Sequence, residues 1–181
     1  VRLGLGQQLN YFFGGNFWEE TDPDGNVIFP REGLKADADH PWIGDPRDEE
    51  TMRTSRLVRQ AMVISIDRET LSEVLQEGLS PPAYTHFTGF APSDPQWKDE
   101  WFIEFDPEKA KELLIEAGYP NGFHVPMWTA SSHSLIDPEI GDAVAQMWEN
   151  IGLTTAMERT SYSARRPTMI ERTMDIPMMH H

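Results

Sequence analysis

The sequence has no cysteine, and its 15 Lys and Arg are outnumbered by 30 Asp and Glu. The first absence excludes disulfides, thiolate metal sites and a cysteine nucleophile, without identifying a compartment. The second gives a formal net charge of −15. Such a surface repels nucleic acid and anionic membrane, so neither is expected as a partner, and its plain role is solubility. No apolar run reaches the roughly 18 residues that a membrane-spanning helix needs. The opening VRLGLGQQLN has neither an initiator Met nor the basic-then-apolar layout of a signal peptide. It begins on Val in a strand-like stretch, and the far end stops on strand-like MDIPMM with only His180 and His181 beyond. The chain therefore reads as a piece of a longer protein. Catalytic signatures are missing as well: there is no GxSxG, HExxH, GxxxxGK[ST], GxGxxG or EF-hand pattern. LGLG at residues 3–6 lacks both the third glycine and the helix. No catalytic residue, metal or cofactor is expected.

Six Trp, nine Phe and nine Met supply a core, so this is not a disordered acidic chain. Residues 1–18 suggest a short strand and a glycine turn at Gly14 and Gly15. Residues 19–50 are rich in Pro, Gly and Asp, with a turn or short hairpin around Asp22–Asn26. So long an excursion is either functional or an insertion of a subgroup. Order returns near residue 49 with a helix over EETMRTSRLVRQAMVIS. Asp67 caps a second helix, RETLSEVLQE, that Gly78 ends and whose Leu71, Val74 and Leu75 share one face. Residues 79–104 form a proline-rich surface connection.

The last third is the most regular. Asp106 suits an N-cap, Pro107 the first helical position and Gly118 the left-handed residue after the end of a helix over 107–117. A strand over 123–129 follows, then a helix opened by Asp137 and Pro138 and closed by Gly152. A strand over 153–159, a helix over 163–172 and a strand over 174–179 complete the pattern. Pro167 is tolerable only near a helix start, which predicts that the last helix begins later than residue 163. Strands alternating with helices of this length indicate an α/β fold with a mostly parallel sheet. The chain divides into residues 1–50, a strand and an irregular excursion, and residues 51–181, the α/β domain.

In open α/β sheets, ligands bind beyond the carboxyl ends of strands and beside helix N-termini. Ser131, Ser132, His133 and Ser134 occupy that place after the strand over 123–129, and Trp128 offers a stacking face. The alternative is a solvated loop that only caps the next helix. FFGGNFW could line a pocket through Phe12, Phe13, Asn16, Phe17 and Trp18, its glycines letting backbone approach a ligand. A hydrophobic plug under the long excursion is the competing reading. His40 and His86 read as surface residues, His124 as pointing away from the core, and His180–His181 as a solvated end rather than a metal site.

Four ordered blocks, VRQAMVISIDRETL, FDPEKAKELLIEAGYPNGF, PEIGDAVAQMWENIGLTTAMER and MDIPMM, resemble the extracytoplasmic solute-binding proteins of peptide/nickel-type ABC importers, family 5. The resemblance covers roughly residues 58–179. Ser65 stands where alanine is usual, Phe105 where tyrosine is, and Leu153 where isoleucine is. It implies a type II periplasmic-binding-protein lobe, incomplete, comprising most of the C-terminal lobe of a two-lobed clamp. The whole protein would be a monomer that closes on a peptide or other small polar solute and delivers it to ABC permease subunits. Its location would be the periplasm, or the cell surface with a lipid anchor. In dipeptide-binding members an arginine in the loop after the strand corresponding to 123–129 grips the solute carboxylate, whereas TASSHSLID has none. Ser or neutral His cannot replace a bidentate guanidinium at equal strength, which weighs against a free dipeptide and leaves longer peptides, sugars or other polar solutes open. Two rival readings stand beside this one: an enzyme whose active site lies between this lobe and a missing one, and a stand-alone protein-interaction module.

Overall fold

The computed structural model describes residues 10–15, 20–28, 33–85, 92–131, 137–171 and 173–180. Strand β1 (Asn10–Phe12) is followed by a two-stranded hairpin, β2 (Glu20–Thr21) and β3 (Val27–Ile28). The Asp22 carboxylate accepts the backbone N–H groups of Asp24 and Asn26 and fixes the turn between them, where a hairpin was expected. Helix α1 (Glu49–Ile64) starts where Asp48 caps it, with Glu49 and Glu50 in the first turn.

Asp67 caps α2 (Arg68–Thr70) as expected, but the chain then widens into a π-helical turn, Leu71–Leu75. Hydrogen bonding i→i+5 rotates the later side chains, so Leu71 and Leu75 pack on the core while Val74 is 69% exposed. The single face expected for Leu71, Val74 and Leu75 is thereby corrected. Helix α3 (Pro107–Glu116) has the predicted caps: the Asp106 carboxylate accepts from the Lys109 N–H at 2.8 Å, and Gly118 has φ +89°.

Strand β4 (His124–Ala130), helix α4 (Asp137–Asn150), strand β5 (Thr154–Thr160), helix α5 (Tyr162–Ile170) and strand β6 (Met178–His180) complete the fold. The sheet order is β1-β6-β4-β5; β4 is parallel to both neighbours, and β1 is antiparallel to β6. The sheet is therefore mostly parallel. Pro126 sits inside its central strand without breaking the ladder. The Trp128 N–H points to the β6 side, where it meets the Pro177 carbonyl at 2.9 Å, and Pro126 faces the same way before β6 has begun.

Alternate residues of β4 serve two cores. Val125 and Met127 join α1, α3 and α4, where the Trp148 indole donates to the Met62 carbonyl at 2.9 Å. Trp128 and Ala130 pack on the opposite face with Tyr162 and Met169 of α5 and with Met174. Helix α5 begins earlier than Pro167 suggested, because the Ser161 hydroxyl accepts from the Ala164 N–H and anchors the first turn ahead of the proline. Strand β6 begins later than residue 174. The stretch before it is held elsewhere: Gly15 N–H donates to the Met174 carbonyl, and the Trp42 indole donates to the Asp175 carbonyl at 2.9 Å.

The returning part of the excursion is thus built into the fold. Trp42 and Ile43 are buried in the main core, and Lys35 pairs with Asp175. His40 is not the free surface residue expected: its Nδ1 lies 2.7 Å from Asp37 and its Nε2 3.8 Å from Asp175, with 16% of the side chain exposed. His124 is exposed as predicted, 3.2 Å from the Thr154 hydroxyl.

Two outcomes test this architecture. Gly122 has φ +69°, and a Cβ there would lie 1.8 Å from the Gly152 carbonyl oxygen, where the turns entering β4 and β5 meet. Gly122→Ala is expected to cost about 2 kcal/mol or more in urea denaturation of the complete protein; an unchanged midpoint would refute the packing. The hydrogen bond from His40 holds the Asp37 carboxyl below its usual range. For a depressed carboxyl, the stabilisation is present above the unfolded value of about 3.9 and is lost as pH falls through the folded value. Asp37→Asn should therefore flatten the acid limb of the melting-temperature profile while leaving its shape at neutral pH intact.

Candidate functional site

The sheet has one edge where chemistry can gather. The chain leaves β4 for α4 on one face and leaves β5 for α5 on the other, so the carboxyl end of β4 is a topological switch point. The N-termini of α4 and α5 both lie at this edge, and Asn10 of β1 pairs with His180 there.

Ser131, just beyond β4, is exposed, and its N–H donates to the Thr160 carbonyl at 3.0 Å. That bond continues the β4–β5 ladder and holds the Ser131 backbone in place. Ser161 Oγ lies 3.0 Å from Ser163 Oγ at the start of α5. Of the nearby cations, Arg159 pairs with Asp142 and Arg165 with Glu158, while Arg166 of α5 is exposed. What remains at the rim is a set of hydroxyls next to helix N-termini, suited to holding polar groups by hydrogen bonds.

Beneath the rim lies a row of paired residues, Tyr11, Met179, Thr129 and Arg159, on the α4 side of the sheet. The hydroxyls of Tyr11 and Thr129 are buried and have no hydrogen-bond partner among the described residues. Burial pushes the Tyr11 phenol far up, and the Asp142 carboxylate adds to this, so it stays protonated.

The expected site residues divide. Ser131 is at the edge as predicted. Trp128 is not a stacking face: it is 0% exposed, and its indole donates to the Thr160 hydroxyl at 2.8 Å. The α5 layer covers it, and the ring braces the ends of β4 and β5 from below. Phe13 is partly buried against the main core. The glycines beside it admit protein rather than ligand: a Cβ on Gly14 would lie 2.6 Å from the Ile176 carbonyl oxygen, and one on Gly15 2.0 Å from Ile43 Cδ1. Asn16, Phe17, Trp18, Ser132, His133 and Ser134 lie outside the described residues. Sequence reasoning missed Tyr11, Thr129, Thr160 and Ser161. The second parallel strand carried a usable signal, since a β4–β5 pairing in register brings Thr160 and Ser161 to the same edge as Ser131. Among the described residues no group of three or more His, Asp or Glu could hold a metal ion.

A sequence profile of the bacterial extracellular solute-binding proteins, family 5 Middle, matches residues 44–181. The chain belongs to that family. Among its curated relatives, the glutathione-binding protein GsiB of Escherichia coli (strain K12) is 40% identical over 78 residues. That alignment takes in 42% of this chain and 14% of the relative, so the chain spans a small part of the proteins it matches. Among solved structures, a periplasmic oligopeptide-binding protein (OppAIV) of Borrelia burgdorferi is 26% identical with a TM-score of 0.57, over 68% of this chain and 24% of that one. The periplasmic binding protein DppA of Helicobacter pylori, in complex with peptide STSA, is 19% identical with a TM-score of 0.55, over 95% of this chain and 28% of that one. This last likeness shows the fold alone, and it extends to nearly the whole chain. The family places the protein among extracellular binding proteins, and no helix of the described residues is long and apolar enough to cross a membrane.

The brace under the edge can be tested directly. Thr160→Val strands the buried Trp128 N–H and should cost about 1–3 kcal/mol in denaturant titration. Thr160→Ser, which keeps the acceptor, should recover most of it. Equal losses in both variants would show that the hydrogen bond is not what matters.

Proposed function

We propose that this chain is part of the solute-capturing component of an ABC importer, and that residues 51–181 form most of its C-terminal lobe. It would hold a peptide-like or other small polar solute at the carboxyl ends of β4 and β5, between two lobes. Closure would follow from solute contacts with both lobes, which lower the free energy of the closed state relative to the open one. The solute then passes to permease subunits in the membrane. The protein would work as a monomer in the periplasm, or anchored at the cell surface.

The observation that carries this reading is the family match over 44–181 on a lobe whose switch-point edge presents hydroxyls and two helix N-termini. The names of the relatives, glutathione-binding and oligopeptide-binding, support a peptide-like solute. Ser131 and its neighbours Ser132 and His133 are assigned to solute contact; β1 leaves the carboxyl edge at Asn10, so Asn16 and Trp18 are given no part in it. Phe13 and Trp128 are reassigned as supports. The reading gives no residue a catalytic role and calls for no metal or cofactor.

Calorimetry on the complete protein, with glutathione and tri- to pentapeptides as titrants, provides the test. At least one is expected to bind and to be recovered chemically unchanged. Ser131→Trp fills the exposed edge and should weaken that binding about tenfold or more without shifting the melting temperature. Conversion of the bound solute would replace this reading with an enzymatic one, and unchanged affinity in Ser131→Trp would move the site elsewhere.

A further inference from the structure

A second concave surface lies away from the carboxyl edge, where the turn after α1 meets the segment leading into α3. A cavity of about 220 Å³ opens there between Ile66, Arg68, Tyr84, Phe102, Ile103 and Phe105. Phe102 and Phe105 are 49% and 45% exposed, a large apolar outlay for the mouth of so small a cavity. The rings are ordered by their neighbours: Tyr84 lies 5.0 Å from Phe102 and 5.9 Å, edge-on, from Trp97, which itself meets Trp101 edge-on. Such an array is rigid and loses little freedom on binding.

The charge around it is one-sided. Residues 67–79 and 94–105 contain eight acidic residues and only two basic ones. Both basic residues are engaged. Arg68 Nη1 donates to the Val63 and Ile66 carbonyls at the end of α1, a helix with no basic residue in its last turn. Lys98 Nζ lies 3.7 Å from Glu100 and 5.4 Å from the Trp101 ring centre. Asp67 and Glu69 stand in the cavity wall beside Arg68, and Glu104 is exposed between Ile103 and Phe105, so carboxylates outnumber the one guanidinium around an opening lined by aromatic and charged side chains.

The geometry points to a docking site for a polypeptide partner that inserts one large apolar side chain into this cavity and flanks it with Lys or Arg. A volume of about 220 Å³ takes a side chain, whereas a free small-molecule ligand usually occupies a cavity of about 300 Å³ or more. Charge complementarity selects the basic flanks, and the ordered aromatic mouth supplies the anchor. This site is separate from the carboxyl edge, and its assignment does not depend on which solute is bound there.

The test uses the complete protein and two fluorescein-labelled peptides, Lys-Leu-Phe-Leu-Lys and Glu-Leu-Phe-Leu-Glu, followed by fluorescence anisotropy. The Lys peptide is expected to bind and to weaken as salt is raised from about 20 to about 150 mM, as exposed charge pairs do. Phe102→Ser with Phe105→Ser should weaken it about tenfold. Glu69→Gln with Glu104→Gln, surface changes that leave the core untouched, should weaken it about threefold. Solute affinity at the other site should be unchanged in both variants. Equal binding of the two peptides, or full affinity retained in the Glu variant, would overturn the proposal. So would hydrogen exchange showing the Phe102–Phe105 amides as protected as β4 before peptide is added, because the rest of the chain would then already cover the site.

Discussion

Val125 and Met127 of β4 face a core shared by α1, α3 and α4, while Trp128 and Ala130 face a smaller one capped by α5. The strand is hydrogen-bonded to β5 along its whole length and to β6 near its end. A strand buried on both faces must be apolar at successive positions, and VPMW meets that demand. The consequences reach the rest of the molecule. Because its two faces take different helices, the connections leaving β4 and β5 diverge. The divergence opens the edge at Ser131, where two helix N-termini and several hydroxyls are left facing outward.

The same constraint explains why the excursion before α1 is not loose. Strand β6 pairs with β4 only from Met178 onward, so the chain before it must be steadied by other contacts. Trp42, Lys35 and Gly15 provide them, each bonded to Met174 or Asp175. Gly14 and Gly15 permit the close approach of β1 to this segment. The excursion therefore helps to fix β6, and with it the far side of the carboxyl edge.

Much of this was legible in the sequence because the cues were local. Asp106, Pro107 and Gly118 act on backbone groups within a turn of themselves, and their roles carried over unchanged into α3. The family motifs likewise placed a mostly parallel sheet with flanking helices. What stayed hidden depended on contacts distant in sequence. Nothing near Trp128 indicates that α5 will cover it, and nothing near Gly15 indicates Ile43. Pro167 misled in the other direction, because a helix anchored by Ser161 tolerates the loss of one early hydrogen bond. At the site, Ser131 was visible as a loop residue after a strand. Thr160 and Ser161 required the register of a parallel pair, and Tyr11 required an antiparallel partner more than 160 residues away.

The central claim is that solute contacts the carboxyl edge of β4 and β5. Hydrogen exchange of the complete protein, with and without a saturating peptide solute, tests it most directly. Slowed exchange is predicted at the amides of residues 131 and 161–163, with β4 itself already protected in both states. Solute-dependent protection confined to other surfaces, with these amides unchanged, would contradict it.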